Sequence, residues 1–339
     1  MQSLARPVLL VLRHHGLGDL VTVQPALKGL RTKFPEHSMV VTCPSWLLPL
    51  AKFFRTADLL VSEVSHGALN PVQAVDPCRH RDADTALLRN VMNEVVKADV
   101  LVSLRTPGPE LLPLIEATRP ALLVSYRYQP LAATHRYPDL DFSDHILDRW
   151  RRLLSTIGVE PSDGDLYVDL RPASAYCGYT IVHAGAGSPA RIWPLQQWTV
   201  VVRHLVSRGH RVLLTGSTEE ASRVNELRRA AGLPPECDRC GATDVMELAQ
   251  LIAGARLVVC VDSGVSHLAT AFRRPALTLF GPLPPAWWGP PPGNPQHRTI
   301  WTGRTGDTYA GEVDPGLMEI SAEAVVDMIE RLHAEEVRP

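Results

Sequence analysis

The residues best suited to chemistry follow a short apolar stretch at residues 257–261, where the sequence turns to Asp262-Ser263-Gly264 and then reaches His267. Such a stretch is typical of a buried parallel strand, and the apolar spacing after Gly264 predicts a helix that begins at this turn. Backbone N–H groups and the positive end of the helix dipole would face outward there, which suits a phosphate or diphosphate. A helix cap with a packing histidine is the simpler interpretation, and the local pattern does not choose between the two.

A second reactive group lies near the start of the chain, after a predicted first strand at residues 7–12. Gly16 and Gly18 allow a tight turn there, and Asp19 follows at or near the start of a helix predicted over residues 20–33. Its carboxylate could cap that helix, or it could take a proton from a substrate. The pattern G-x-G-D lacks the third glycine of a dinucleotide fingerprint, so a nicotinamide cofactor is not expected.

Strands and helices alternate along the chain, which predicts an α/β protein with parallel sheets. A stretch rich in Pro, Asp, Gly and Ser at residues 160–179 is expected to separate two domains, 1–165 and 166–339. The last helix, at 322–334, is expected to be able to pack back onto the first domain. Further strands are predicted at 39–43, 59–64, 100–104, 121–125, 179–183, 210–214 and 276–280, and further helices at 47–54, 85–97, 144–157, 193–208 and 244–253.

Several other turns leave the carboxyl ends of predicted strands, and in a parallel sheet these turns meet at one edge. Residues 184–188 form a glycine-rich turn, residues 215–220 carry two glutamates, and Arg105 ends the strand at 100–104. Arg127 and Arg136 lie in a later loop of basic and aromatic residues, which suits a hydroxyl-rich or anionic acceptor. A solvated loop is the alternative interpretation of that segment.

Composition restricts the class of protein. A chain of 339 residues with 45% apolar and 21% charged residues is an ordinary globular protein of two domains, and a net charge of −2 gives no reason to expect nucleic acid as a partner. Cys237-x-x-Cys240 has no second pair at similar spacing, so a zinc site is not expected. The apolar runs are too short for a signal peptide or a membrane span, which favours a cytoplasmic protein with at most peripheral membrane association.

Several motifs together resemble glycosyltransferase family 9, the bacterial heptosyltransferases, over nearly the whole chain. The most specific is D-S-G-x-x-H-L-A at residues 262–269 followed by F-G-P at 280–282. The others are R-x-x-x-x-G-D at 13–19, H-x-G-A-x-S at 183–188, R-I-W-P at 191–194 and T-G-S-x-E-E at 215–220.

The resemblance implies a GT-B fold, in which two Rossmann-like domains with parallel sheets face each other across a cleft. It implies an acceptor site mainly in the N-terminal domain and a nucleotide-sugar donor, usually ADP-heptose, in the C-terminal domain. The implied reaction inverts the anomeric carbon and needs neither a metal nor any other cofactor. No Asp-x-Asp metal motif is placed at the edge of the sheet, so the charge of the leaving diphosphate would be met by Arg191 and by backbone N–H groups.

The resemblance assigns roles to particular residues. Asp19 corresponds to the catalytic base, and Arg191 stands where the family commonly has a lysine that contacts the diphosphate. One of Glu219 and Glu220 would bind the ribose, and the sequence does not decide which. The expected acceptor-binding residues are Arg13, His14, Gly18, Arg105, Arg127 and Arg136. The expected donor-binding residues are His183, Gly185, Ala186, Gly187, Ser188, Arg191, Gly216, Glu219, Glu220, Asp262, Ser263, Gly264 and His267.

Two other functions remain open at this point. A sugar-nucleotide epimerase of GT-B type would share the architecture, but it would need further acid and base residues around the donor sugar. A nucleotide-sugar-binding protein without transfer activity is the second alternative, and the presence of Asp19 argues against it. The acceptor, the donor sugar, the base of its nucleotide and the oligomeric state are not determined by the sequence.

Overall fold

The computed structural model describes residues 6–13, 16–62, 97–106, 108, 111–128, 137–294 and 296–336. The chain forms two compact units, Met1–Leu166 and Tyr167–Pro339, which we call unit 1 and unit 2. The predicted helix at 85–97 falls almost entirely outside the described residues.

The described part of unit 1 contains a parallel sheet with the strand order β3-β2-β1-β4-β5. The central strand β1 is buried along its whole length, because its apolar residues have a neighbouring strand on each side. The chain adds β2 and β3 on one side of β1 and then β4 and β5 on the other, so the strand order reverses between β1 and β4. The strands are β1 Val8–Leu12, β2 Ser38–Thr42, β3 Leu59–Val61, β4 Val100–Ser103 and β5 Leu122–Val124.

The helices of unit 1 correct one prediction. The single helix expected over residues 20–33 is two helices that meet at Val23, and Pro25 lies in the first turn of the second. Proline favours such a first turn because it has no N–H to donate and its φ is already helical. The described helices are α1 Leu17–Thr22, α2 Gln24–Lys33, α3 Leu48–Phe54, α4 Leu111–Thr118 and α5 Ile146–Ser155.

Unit 2 repeats this plan with the strand order β10-β9-β8-β6-β7, again with parallel pairs. Here the order reverses between β6 and β8, and the register places His183 beside Cys260 at the carboxyl ends of those strands. The edge strand β10 was not predicted. The strands are β6 Thr180–His183, β7 Val212–Thr215, β8 Leu257–Val261, β9 Ala276–Leu279 and β10 His297–Ile300.

The core of unit 2 is organised around two tryptophans. Trp193 and Trp198 are fully buried with their rings 5.0 Å apart at 87°, and Trp193 Nε1 donates to the carbonyl oxygen of Ile320 at 3.0 Å. Pro194 is the N-cap of the helix that follows, so this helix begins two residues later than predicted. The helices are α6 Leu195–Ser207, α7 Ala221–Ala231, α8 Val245–Ala253, α9 Gly264–Ala271, α10 Pro285–Trp288, α11 Pro315–Met318 and α12 Ala322–Glu336.

The last helix, α12, packs within unit 2. Val325, Ile329 and Leu332 on one of its faces belong to the same buried cluster as the two tryptophans. Within the described ranges, no helix has the length and apolar character needed to cross a bilayer. The described part of the chain also contains short 3-10 turns at Ser45–Leu47, Asp163–Leu166, Ser174–Tyr176, Pro189–Arg191, Thr218–Glu220 and Pro235–Cys237.

A buried histidine helps to dock α12. His210 Nδ1 lies 2.6 Å from Thr180 Oγ1, and its ring stacks on that of His333 with the centroids 4.7 Å apart. Burial lowers the pKa of His210 from the ordinary 6.5 to about 4, and the neighbouring His333 acts in the same direction. The imidazole is therefore neutral in the folded protein at neutral pH.

This histidine predicts a pH dependence of stability. Between pH 6.5 and about 4, the unfolded chain binds a proton at His210 that the folded protein does not. The contribution of His210 to the free energy of unfolding is therefore fully present above pH 6.5 and is lost as the pH falls toward 4. In His210→Phe, which keeps a ring but cannot titrate, we expect the melting temperature to fall less steeply over this range than in the wild type. Parallel curves in thermal melts of the two proteins would contradict the prediction.

Candidate active site

In unit 1, Asp19 lies beside the point where the strand order reverses. It is the third residue of α1, and Gly16 is the N-cap, so Asp19 is not itself the cap. Its Oδ2 accepts the backbone N–H of Gly16 at 2.9 Å, and its Oδ1 accepts a hydrogen bond from Arg13 Nη2. The carboxylate thus stabilises the start of the helix and also forms an ion pair at the carboxyl edge of the sheet.

Arg13 is held by several groups in the same region. Its Nη1 donates to the carbonyl oxygen of Leu104 at 3.2 Å, and its guanidinium lies 4.8 Å from the centroid of the Trp150 ring. Burial lowers the pKa of Arg13, and the charge of Asp19 opposes that effect. Arg13, which the sequence predicts to bind the acceptor, thus has its guanidinium in contact with Asp19, Leu104 and Trp150.

The other expected acceptor residues divide into two groups. Gly18 is in α1, and Arg105 is buried two residues after the end of β4, close enough to Arg13 that its charge lowers the pKa of that guanidinium. Arg127 instead lies in the loop after β5, where its Nε is 2.7 Å from Oδ1 of Asp139 and its side chain is largely exposed. His14 and Arg136 lie outside the described residues. The structure therefore brings Arg13, Gly18 and Arg105 to one place with Asp19.

In unit 2, Arg191 joins the two loops that flank the reversal of strand order. Its Nη1 donates to the carbonyl oxygen of Asp262 at 3.0 Å and lies 3.7 Å from the carboxylate Oδ2 of the same residue. Arg191 ends the short turn Pro189–Arg191, whose N-cap Ser188 accepts the N–H of Ala190 at 3.3 Å through Oγ. Burial raises the pKa of Asp262, and Arg191 opposes this effect. The loop after β6 and the loop after β8 are thereby fixed to each other.

The loop after β8 opens into α9 as predicted from its turn residues. Ser263 is the N-cap, and its buried Oγ has no hydrogen-bond partner among the described residues. Gly264 begins the helix, and Ser266 Oγ donates to the Ser263 carbonyl oxygen at 2.7 Å. His267 is buried in the first turn, with its ring 6.5 Å from that of Trp288 at 67°. This helix start presents the backbone N–H groups expected for an anion site.

Glu220 is the glutamate that lies against the glycine-rich turns. A Cβ atom at Gly185 would overlap the Glu220 carboxylate, and one at Gly216 would lie 3.0 Å from its Oε2. The same oxygen accepts the backbone N–H of Ser217 at 2.7 Å, whereas the Glu219 side chain is exposed. A side chain at either position would force the Glu220 carboxylate to move, which glycine avoids.

Residues 239–241 pack against the end of β7 and the turn that follows it, a contact that the sequence did not predict. Arg239 N donates to the Leu214 carbonyl oxygen at 2.9 Å and Gly241 N to that of Gly216 at 3.0 Å. Between them, Cys240 Sγ donates to the carbonyl oxygen of Ser217 at 3.0 Å, and burial raises the pKa of this thiol to about 12. Cys240 therefore packs as a neutral thiol. Among the described residues, no group of three His, Cys, Asp or Glu side chains is arranged to hold a metal.

The remaining donor-site predictions fall near these loops. His183 ends β6, and its Nδ1 lies 3.0 Å from Thr215 Oγ1 at the end of β7. Burial lowers the pKa of His183, and the charge of Glu220 acts in the opposite direction. Ala186 and Gly187 lie in the turn between β6 and Arg191, and a Cβ atom at Gly187 would be 3.7 Å from Arg191 Nη2, which is an ordinary contact. The sequence did not predict that Trp150 packs on Arg13 or that Trp288 packs on His267, because no local pattern marks either tryptophan.

Comparison with known proteins extends the likeness over the whole chain. Lipopolysaccharide heptosyltransferase 2 of Salmonella typhimurium is 24% identical over an alignment of 361 positions, which covers 97% of this chain and 99% of that protein. The solved structure of the E. coli ADP-heptose LPS heptosyltransferase II matches with a TM-score of 0.72 at 19% identity, over 98% of this chain and all of that one. The chain therefore has the GT-B type of fold, with two Rossmann-like domains.

A further structural match is an enzyme described as iron-containing. The dodecameric glycosyltransferase TibC from enterotoxigenic E. coli H10407 has a TM-score of 0.58 at 18% identity, over 98% of this chain and 77% of that one. At this identity the match concerns the fold alone.

The sequence model of glycosyltransferase family 9 (heptosyltransferase) matches residues 125–309, more than half of the chain. The matched range includes Arg191, Glu220 and the loop from Asp262 to His267. This chain is an enzyme that belongs to glycosyltransferase family 9.

Proposed function

We propose that the enzyme transfers a heptose from ADP-heptose to a hydroxyl group of a glycan or natural-product acceptor, with inversion at the anomeric carbon and without a metal. The observation that carries the proposal is that a carboxylate in unit 1 and a pair of loops joined by Arg191 in unit 2 each lie where the strand order reverses. Ligands of open parallel sheets bind at such points. ADP-heptose is the donor in the name of the E. coli structure, which supports the choice of sugar and nucleotide.

Unit 2 is proposed to hold the donor. Its diphosphate would lie against the N-terminus of α9 and the guanidinium of Arg191, with Ser188 and Ser263 as hydroxyl ligands. Glu220 would accept hydrogen bonds from the ribose hydroxyls, because it, and not Glu219, lies against Gly185 and Gly216.

Asp19 is proposed to take the proton from the acceptor hydroxyl as its oxygen attacks the anomeric carbon. The bond from that carbon to the diphosphate breaks on the opposite face, so the configuration inverts and ADP leaves with the bonding electrons. Negative charge grows on the diphosphate during this step. Arg191 and the N–H groups that begin α9 would stabilise it, and each such fixed donor contributes on the order of 3 kcal/mol.

A transfer assay with ADP-heptose tests the proposal directly. We expect ADP release only when an acceptor from a panel of lipopolysaccharide-core and other glycans is present, at a rate that EDTA leaves unchanged. Sugar that changes configuration with donor alone would indicate an epimerase, and donor binding without turnover on any acceptor would indicate a binding protein. Activity that EDTA removes and a divalent metal restores would contradict the metal-independent step. Iron analysis of the purified protein completes the assay.

Substitution of Asp19 tests the proposed base. Asp19→Asn keeps the shape of the side chain, but it has one acceptor oxygen where the carboxylate has two, so only one of Arg13 and Gly16 keeps its partner. We expect transfer to fall by roughly 10² to 10⁴, since that is the usual contribution of a general base. ADP affinity, measured by calorimetry, should stay near that of the wild type, because the residue acts on the acceptor proton. Equal losses of affinity and turnover would assign Asp19 to donor binding instead.

Arg191 gives an independent test in unit 2. Arg191→Ala should weaken ADP binding by about tenfold to a hundredfold and slow transfer as well, because it removes a charge-assisted contact that strengthens as charge develops. Arg191→Lys keeps the charge but loses the planar fork, so it should lie between alanine and the wild type.

The matched control is Arg203→Ala. Arg203 is on α6, and its guanidinium donates to the carbonyl oxygen of Ala230 at 2.6 Å, away from the loops after β6 and β8. Its loss should leave ADP affinity unchanged. If Arg191→Ala and Arg203→Ala bind ADP as the wild type does, Arg191 serves only to link the two loops.

A further inference from the structure

Arg13 occupies a position at which several elements of unit 1 meet. Its backbone N–H donates to Thr42 Oγ1 at the end of β2 at 2.9 Å, and its Nη1 reaches the carbonyl oxygen of Leu104, directly after β4. Trp150 of α5 covers the guanidinium. Arg13 itself directly follows β1, so the residue is tied to the carboxyl ends of three neighbouring strands and to one helix. A side chain held in this way is already ordered before any substrate binds.

The Asp19 carboxylate is oriented by two donors on different oxygens. Arg13 Nη2 donates to Oδ1, and the backbone N–H of Gly16 donates to Oδ2 at 2.9 Å. Two such contacts fix the plane of the carboxylate, whereas one would let it rotate. Each carboxylate oxygen has two lone pairs, so these contacts are compatible with a further hydrogen bond from a hydroxyl group.

We propose that Arg13 is a positioning residue that orients the Asp19 carboxylate for proton abstraction, and that it does not bind the acceptor. This inference rests on the proposed role of Asp19 as the base. Arg13 is the more buried partner of the pair, with 7% of its side chain exposed against 18% for Asp19. The group that remains accessible to an acceptor is therefore the carboxylate.

Two effects of the guanidinium on the rate oppose each other. A cation beside a carboxylate keeps it ionised but makes it a weaker base. Brønsted behaviour passes only part of a change in base strength on to the rate. Loss of orientation acts the other way, since a displacement of about 1 Å costs on the order of 10²-fold. We therefore expect removal of Arg13 to slow the reaction.

The test compares Arg13→Gln, Arg13→Lys, Asp19→Asn and the double variant Arg13→Gln/Asp19→Asn in steady-state transfer. Arg13→Gln should lower kcat by about tenfold to a hundredfold while KM for donor and acceptor changes by less than about threefold. Arg13→Lys should recover part of kcat, because it keeps the charge and loses the fork. In the Asp19→Asn background, Arg13→Gln should cost little more, because a residue that acts through Asp19 has nothing left to orient.

Arg31→Gln is the matched control. Arg31 also forms an arginine–aspartate pair in unit 1, with its Nη2 2.6 Å from Asp58 Oδ2, but Asp58 accepts the N–H of Met39 near the start of β2. The kcat of Arg31→Gln should equal that of the wild type. Thermal melts and ADP affinity establish that each variant is folded. If Arg13→Gln does not fold, the kcat and KM of Arg13→Lys decide the question, and a wild-type kcat in that variant would overturn the proposal.

The outcomes separate this inference from the proposed function. An increase in acceptor KM that persists in the Asp19→Asn background would show that Arg13 binds the acceptor and would overturn the positioning role. An Arg13→Gln variant with wild-type kcat would do the same. If Asp19→Asn itself retains full kcat, the proposed base is wrong, whatever the Arg13 variants show.

Discussion

Both candidate sites depend on one constraint of parallel sheets, which is the reversal of strand order. Loops that leave adjacent strands toward opposite faces separate at that point, and they leave backbone groups and helix starts without a neighbouring loop to cover them. In unit 1 the reversal separates the turn after β1 from that after β4, and in unit 2 it separates the turns after β6 and β8. In each unit the topology places the candidate site, and the side chains at those turns determine which groups it offers.

A buried arginine–aspartate pair lies at each reversal, and the two pairs are opposite in exposure. In Arg13–Asp19 the arginine is the more buried partner, at 7% against 18%, whereas in Arg191–Asp262 it is the aspartate, at 6% against 21%. Buried charges need a partner, and in each pair the more exposed member is the one that remains accessible. The accessible group is a carboxylate in unit 1 and a guanidinium in unit 2. These are the groups that a proton-transfer step and a leaving diphosphate require.

The sequence predicted the buried strands well and the contacts between loops poorly. Runs such as residues 257–261 are apolar because both faces of the strand are covered, so their pattern is visible locally. The edge strand His297–Ile300 was missed because it has polar residues and only one neighbouring strand. The break between α1 and α2 had a local signal in Pro25, which was overlooked. The choice of Glu220 over Glu219 and the place of Cys240 depend on how separate loops pack, and no spacing along the chain encodes that.

The close approach of Glu220 to two glycines has a consequence for protein engineering. Positions 185, 216 and 220 share one volume, into which Cys240 Sγ also projects, 2.8 Å from where a Cβ of residue 216 would be. In a library that varies the two turn glycines, an added Cβ atom forces the flexible Glu220 side chain to move, and at residue 216 it also meets the thiol. Shortening residue 220 in the same clone makes the necessary space. Substitutions at these positions should therefore be randomised jointly, as a single codon set.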